Sequence, residues 1–397
     1  MSKRLLVVVI TILAGVAGSA LVPAAAAAGV HGLAPFPSNL LTTPDASQQT
    51  GLRIDLPKPD CSAAPSTCAD IDVLDGLDGF NVQPRISIPF SGPIDVSTVS
   101  SATVHLLAAG CPTCAPIGIN QVVWEPATNT LHVEPDELLS QHTTYLLVAT
   151  TGVRDGSGKP VDRTTFQHDL NLGQSGSAAT KTYRKALIDA LDNAGVDLGT
   201  VAAASLFTTQ SATADLEKIR GQIDASSPAP ATIAGAFDRT NVSSIVFHRQ
   251  TGTSTFSDSA VSLAALQAFP GSVGKIVFGS YDSPDYETAA KVIPPTGTAT
   301  GAPARQGTNA ISFNLFLPSG TPPAGGWPVA IFGHGFGDNK NSSPFAVASS
   351  MAHAGIATIA INVVGHGGGD QGTLTVNQVS GSPVTIPAGG RGIDQNG

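Results

Sequence analysis

Apolar positions in this chain follow three successive rhythms. Between residues 84 and 165 they come as short alternating runs, at 86–90, 103–107, 121–124, 130–133 and 144–150, with turn residues between them. Period-two alternation at such intervals predicts the strands of an all-β sandwich, with Trp124 in its core. From 166 to 270 the step changes. Tyr183, Leu187, Ala190, Leu191 and Ala194 recur at three- and four-residue spacing and Gly195 closes the run, while Leu216, Ile219 and Ile223 form a second stripe after a candidate cap, Ser211. Both patterns predict amphipathic helices packed on a domain face, so this part reads as a helical connector. The third rhythm begins near Gly271. Runs at 275–278 and 311–317 read as strands, the second with Ile311, Phe313, Leu315 and Leu317 on one face, as in an antiparallel edge strand. A long loop at 281–307 lies between them, with Asp282 and Asp285 as candidates to line a site. An apolar run at 329–332, a glycine loop, a helix-like segment at 344–354 and an apolar run at 356–361 then predict a βαβ unit with two parallel strands.

The ends of the chain carry other signals. Lys3 and Arg4, the apolar stretch 5–16 and the small-residue tract 24–28 predict a signal peptide over 1–28. Gly15, Gly18 and Pro23 leave that stretch short of the roughly 20 apolar residues that a membrane span needs, so the expectation is export without a transmembrane anchor. Residues 29–83 are rich in Pro, Ser and Asp and read as a segment that wraps a neighbouring domain. Asp75 and Asp78 within it suit turn capping better than a cation site.

Composition agrees with strands and turns, since 42% of residues are hydrophobic, only 12% are charged, and there are 43 Gly and 29 Pro. A net charge of −9 argues against nucleic acid and anionic membrane surfaces as partners. The four cysteines, Cys61, Cys68, Cys111 and Cys114, suit disulfides in an oxidising compartment. Three connectivities satisfy that count, and local pairing is expected. A redox role for Cys111 and Cys114 lacks the helix start it would need, and the six-residue gap between Cys61 and Cys68 falls outside usual zinc spacing.

The candidate chemistry lies in Gly333-His334-Gly335-Phe336-Gly337, at the end of the 329–332 run. This strand-to-loop pattern resembles the start of an α/β-hydrolase domain, where His-Gly ends a strand and the next loop gives a backbone N–H to an oxyanion hole. The resemblance implies that the Phe336 N–H is the donor and that His334, Gly335 and Gly337 shape the loop. A second cluster, Gly365 to Gly369 around His366, resembles a turn after the following strand, with Asn362 where that family carries Asp.

Phe36-Pro37-Ser38-Asn39, the stretch 50–54 and the stretch 74–80 are similar to the N-terminal region of secreted bacterial lipases of the virulence-factor type. The stretches 90–95, 143–145 and 152–158 resemble a bacterial Ig-like domain. The implied architecture is a signal peptide (1–28), a wrapping segment (29–83), an Ig-like sandwich (84–165), a helical connector (166–270) and a partial, mainly parallel α/β-hydrolase domain (271–397). The implied function is that of the N-terminal part of an exported serine ester hydrolase acting on an acyl ester or lipid. No G-x-S-x-G elbow is present, since Gly173-Gln174-Ser175-Gly176-Ser177 lacks the final glycine, so the chain reads as a fragment without its nucleophile. No cofactor is expected beyond calcium in the intact protein, because Asp394-Gln395-Asn396-Gly397 resembles the opening of a calcium loop. The alternative is a cell-surface adhesion or scaffold protein with a degenerate hydrolase-like module.

Overall fold

The computed structural model describes residues 34–111, 113–163, 166 and 176–392. The expected signal peptide, residues 173–175 and residues 394–397 lie outside them. The described residues divide into two compact units. One holds 34–224 together with Thr288–Ala304, and the other holds Ala225–Glu287 with 305–392.

The first unit is a sandwich built from alternating strands. A hairpin of β1 (Thr42–Pro44) and β2 (Leu52–Ile54) and a helix α1 (Pro65–Leu74) precede β3 (Ile86–Pro89), β4 (Ile94–Asp95), β5 (Val104–Ala108), β6 (Ile119–Glu125), β7 (Thr130–Pro135), β8 (Thr144–Thr150) and β9 (Arg154–Asp155). The five predicted strands are β3, β5, β6, β7 and β8. A helix α2 (Ala178–Asn193) and β10 (Val201–Thr208) follow. One sheet runs β3-β7-β6 and the other β5-β8-β10, all antiparallel. Ile86, Ile88, Leu131 and Val133 of the first face Val104, Leu106, Leu147 and Phe207 of the second in one core. Trp124 packs against that core with its ring 6.3 Å from Phe90.

The stretch 201–208, expected in a helical connector, is therefore a strand of the sandwich. It is buried along its whole length because α2 covers the outer face of its sheet. Tyr183, Leu187 and Leu191 of the helix pack on Leu146, Val148, Ala204 and Leu206. A strand buried on both faces loses the alternation that marks a strand in sequence. The helix itself matches its prediction, starting after Ser177, whose Oγ accepts the Thr180 N–H at 3.2 Å, and ending at Gly195 in left-handed conformation (φ +67°).

Residues before β3 contact this sandwich at several points. Phe36 bridges to Ser87, and Phe80 bridges to Thr209 and meets the Phe207 ring edge-on. Asp75 accepts the Leu56 N–H at 2.9 Å, and Asp78 accepts the Ser211 N–H at 2.8 Å and the Thr298 hydroxyl at 2.6 Å, so both serve as ties. The second predicted helix, α3 (Ala214–Ala225), does not pack through its apolar stripe, because Leu216 is 64% exposed. It acts through polar groups instead. Lys218 Nζ donates to Gly297 O at 3.1 Å and Gln222 Nε2 to Pro303 O at 2.9 Å.

Four Asp-x-Ser turns recur here, at Asp45, Asp60, Asp95 and Asp155, each carboxylate accepting the Ser hydroxyl and Ser N–H two residues on. The serine hydroxyl bonds hold all four carboxyls below their ordinary range. A lowered folded value stabilises above the unfolded pKa and is lost as pH falls through the folded one. The unit should accordingly lose stability below about pH 4. Asp155→Asn, which keeps an acceptor but cannot titrate, should flatten that loss in acid-unfolding curves, and an unaltered curve would refute the assignment.

The second unit has two sheets. Its strands are β11 (Thr232–Asp238), β12 (Val242–Gln250), β13 (Phe256–Ala260), β14 (Val273–Asp285), β15 (Gly307–Pro318), β16 (Val329–Phe332), β17 (Ala357–Ile361), β18 (Thr373–Gln378) and β19 (Val384–Pro387), with α4 (Ser343–His353) between β16 and β17. The sheets run β11-β14-β15-β17-β16 and β13-β12-β18-β19. Phe278 and Phe316 from one, Phe247 and Leu374 from the other, and Phe345 and Ala348 from α4 share a core.

The predicted βαβ unit is present, with β16 and β17 parallel. The expected mainly parallel sheet is corrected, since the pairs β11/β14, β14/β15 and β15/β17 are antiparallel. An α/β-hydrolase domain is not shown, and the described chain is mostly β-sheet with few helices. Strand β15 is an inner strand rather than an edge. Phe313 and Asn314, adjacent in the strand and so on opposite faces of it, are both buried. Asp282 and Asp285 sit in β14 opposite Ala310 and Gly307 rather than in a loop. The part of the expected connector from 225 to 270 holds β11, β12 and β13, with 3-10 turns at Arg239–Asn241 and Leu263–Gln267 as its only helical pieces after α3.

Candidate functional site

The loops that follow β16 and β17 lie side by side because their strands are parallel neighbours. Each loop carries one histidine, and each histidine holds the other loop. Val363 N–H donates to His334 Nε2 at 3.1 Å, and Gly337 N–H donates to His366 Nε2 at 3.3 Å. Since each Nε2 accepts, Nδ1 carries the proton, and it donates to Gly335 O and Val364 O respectively, at 3.0 Å in both cases. The ring centroids are 5.1 Å apart. Gly367 is required by close approach, because a Cβ there would lie 2.2 Å from Asn362 Nδ2 at φ +82°. His366→Ala should speed amide exchange at Gly337 while changing global stability by no more than about 1 kcal/mol, as surface loop bonds do. Retained protection at Gly337 would contradict the clasp.

The expected oxyanion loop lies at the surface. Phe336 is fully exposed (101%), its ring edge resting on His366 at 5.9 Å. A Cβ added at Gly335 or Gly337 would meet nothing, so these glycines do not serve close approach to a neighbour. A cleft of about 390 Å³ does exist in this unit, lined by Pro270, Pro318, Trp327 and His353 among others, and includes no residue of the His334 loop.

The chemistry that sequence reading missed lies beneath the clasp. Lys340 is 1% exposed, yet its Nζ meets no carboxylate among the described residues and donates instead to Asn314 Oδ1 at 2.9 Å and Asn341 Oδ1 at 3.4 Å. Its backbone N–H donates to Asn362 Oδ1 at 2.8 Å, so Asn362 ties the two loops together. Burial pushes the Lys340 ammonium down from 10.5 to about 7. With the folded value below the unfolded one, the buried amine penalises folding fully below about pH 7, and the penalty fades as pH rises towards 10.5. A lone lysine in a Gly-Asp-Asn-Lys-Asn loop reads as solvated. Only the fold brings Asn314 under it.

The cysteines pair locally, as Cys61–Cys68 and Cys111–Cys114. Among the described residues no cluster of three or more His, Cys, Asp or Glu could hold a metal, and no helix is long and apolar enough to cross a membrane.

No curated protein sequence matches the chain. Two solved structures of the S-layer protein SbsC, one of residues 31–844 and one of domains 1–6, align with it at 11% identity and a TM-score of 0.20. They cover 82% and 84% of this chain and 42% and 44% of their own, so the chain spans less than half of their length. A TM-score of 0.20 is too low to place the chain in their fold. None of these comparisons supports a hydrolase. The resemblance to secreted lipases is thereby corrected, and with it the expected ester hydrolase. The family match falls on the sandwich, where residues 63–168 match the bacterial Ig-like domain.

Proposed function

We propose that the chain is an exported surface or scaffold protein, with its Ig-like sandwich as a spacer or adhesion module. The observation that carries this reading is the Ig-like match over residues 63–168, on a sandwich that closes its own core. Two short disulfides support it, because such bonds persist in oxidising, extracytoplasmic surroundings. A low share of charged residues and a sheet-rich fold suit a structural role better than steering of a charged ligand.

The reading is tested on the protein in its own cells. Antibody raised against the sandwich should label intact cells, or the protein should appear in the medium, with both cysteine pairs blocked to alkylation until reductant is added. Recovery in the cytosol with four free thiols would refute it. Purified protein should leave a p-nitrophenyl acyl ester at its background rate, and clear turnover would refute the scaffold reading.

A further inference from the structure

The Lys340 and Asn314 side chains are arranged for a bond rather than for a salt link. We propose that Lys340 and Asn314 are joined by an intramolecular isopeptide bond, formed when the Lys340 amine attacks the Asn314 carboxamide and ammonia leaves. The two groups touch, with Nζ 2.9 Å from Oδ1, and both residues are buried, so water neither separates them nor competes as nucleophile. Holding amine and carboxamide in contact and away from water turns a slow bimolecular aminolysis into an intramolecular one, with Nζ needing only to tilt from Oδ1 towards Cγ.

The Asn314 carboxamide is also held by its other end. Its Nδ2 donates to Lys340 O at 2.8 Å and to Asn341 Oδ1 at 2.9 Å. Asn341 Oδ1 therefore lies against both nitrogens of the exchange, the attacking Nζ and the departing Nδ2. The other end of Asn341, Nδ2, is buried with no hydrogen-bond partner. A buried donor left unpaired is costly, so this side chain is held in place through its oxygen.

The step balances without a co-reactant. The neutral amine forms the Nζ–Cγ bond, and the Cγ–Nδ2 bond breaks. One Nζ proton passes, across Asn341 Oδ1, to Nδ2, which leaves as ammonia, and no atom is oxidised or reduced. Burial supplies the neutral amine that attack requires, as the lowered value near 7 reflects. The product amide cannot be protonated, so the bond removes the cost of holding an ammonium in the core. It would staple β15 to the loop after β16, across the intervening β17. The inference stands whether or not the scaffold reading is correct.

The test uses the full wild-type chain, held above about pH 8 so that the amine is neutral, then denatured and digested with trypsin. Between Arg305 and Arg391 the only trypsin site is Lys340. A linked chain should yield one peptide spanning 306–391, uncut at Lys340 and lighter by one ammonia. A succinimide at an asparagine also loses ammonia but leaves Lys340 cleavable. Asn314→Ala should restore cleavage, and Asn341→Ala, which removes the oxygen lying against both nitrogens, should slow linkage. Separate peptides 306–340 and 341–391 of unaltered mass from the wild-type chain would overturn the proposal.

Discussion

Phe207→Ala should cost the N-terminal unit about 3–5 kcal/mol, the range for truncating a buried aromatic in a packed core. Phe207 is 0% exposed and its ring touches two sources of order at once. It stacks on Tyr145 at 6.0 Å and meets Phe80 edge-on at 6.3 Å. The first contact joins β10 to β8, and the second joins β10 to the wrapping segment. Truncation thus leaves a cavity where the sandwich and its wrap meet, and α2 on the far side of the sheet cannot move in to fill it. Urea unfolding followed by amide exchange in β8 would measure the loss. A change below about 1 kcal/mol would show that the site collapses and that Phe80 is held by other contacts.

Gly279→Ala should destabilise the C-terminal unit by about 3 kcal/mol or more, at the upper end of overpacking costs. Gly279 lies in β14 between β11 and β15, and a Cβ there would stand 2.6 Å from Thr232 O and 2.6 Å from the Phe313 ring. The first obstacle is backbone of the adjacent strand and cannot rotate away. The second belongs to a buried ring with no solvent to swing into. Adding Phe313→Leu should recover only part of the loss, because the clash with Thr232 O remains. Full recovery would mean that β11 yields easily, and tolerance of the single change would mean that the β11/β14 pairing is loose. Thermal unfolding of the two variants side by side decides between these outcomes.

Local patterns in the chain were sufficient for several elements and misleading for others. The five sandwich strands, α2 with its Gly195 stop, the β16–α4–β17 crossover and both disulfides each depend on residues close along the chain. The errors share a cause. β12 pairs with β18, matching Val242 to Gln378, and no short window contains both partners. β10 lacked alternation because α2 covers its second face, and β15 looked like an edge because its neighbour β17 comes later in the chain. The His334 loop carried a pattern with chemistry attached to it, but the pattern specifies a strand-to-loop turn, which the clasp with His366 also needs.

Strand periodicity, the glycine stop of α2 and cysteine proximity were set by the sequence alone, since each depends on backbone geometry and neighbours that lie close along the chain. Tertiary structure alone decided which strands are inner, that Phe336 stands in solvent, and that Lys340 is sealed against Asn314. These outcomes depend on burial, which is a property of what packs from a distance, and the same lysine is a solvated charge or a neutral amine according to that packing.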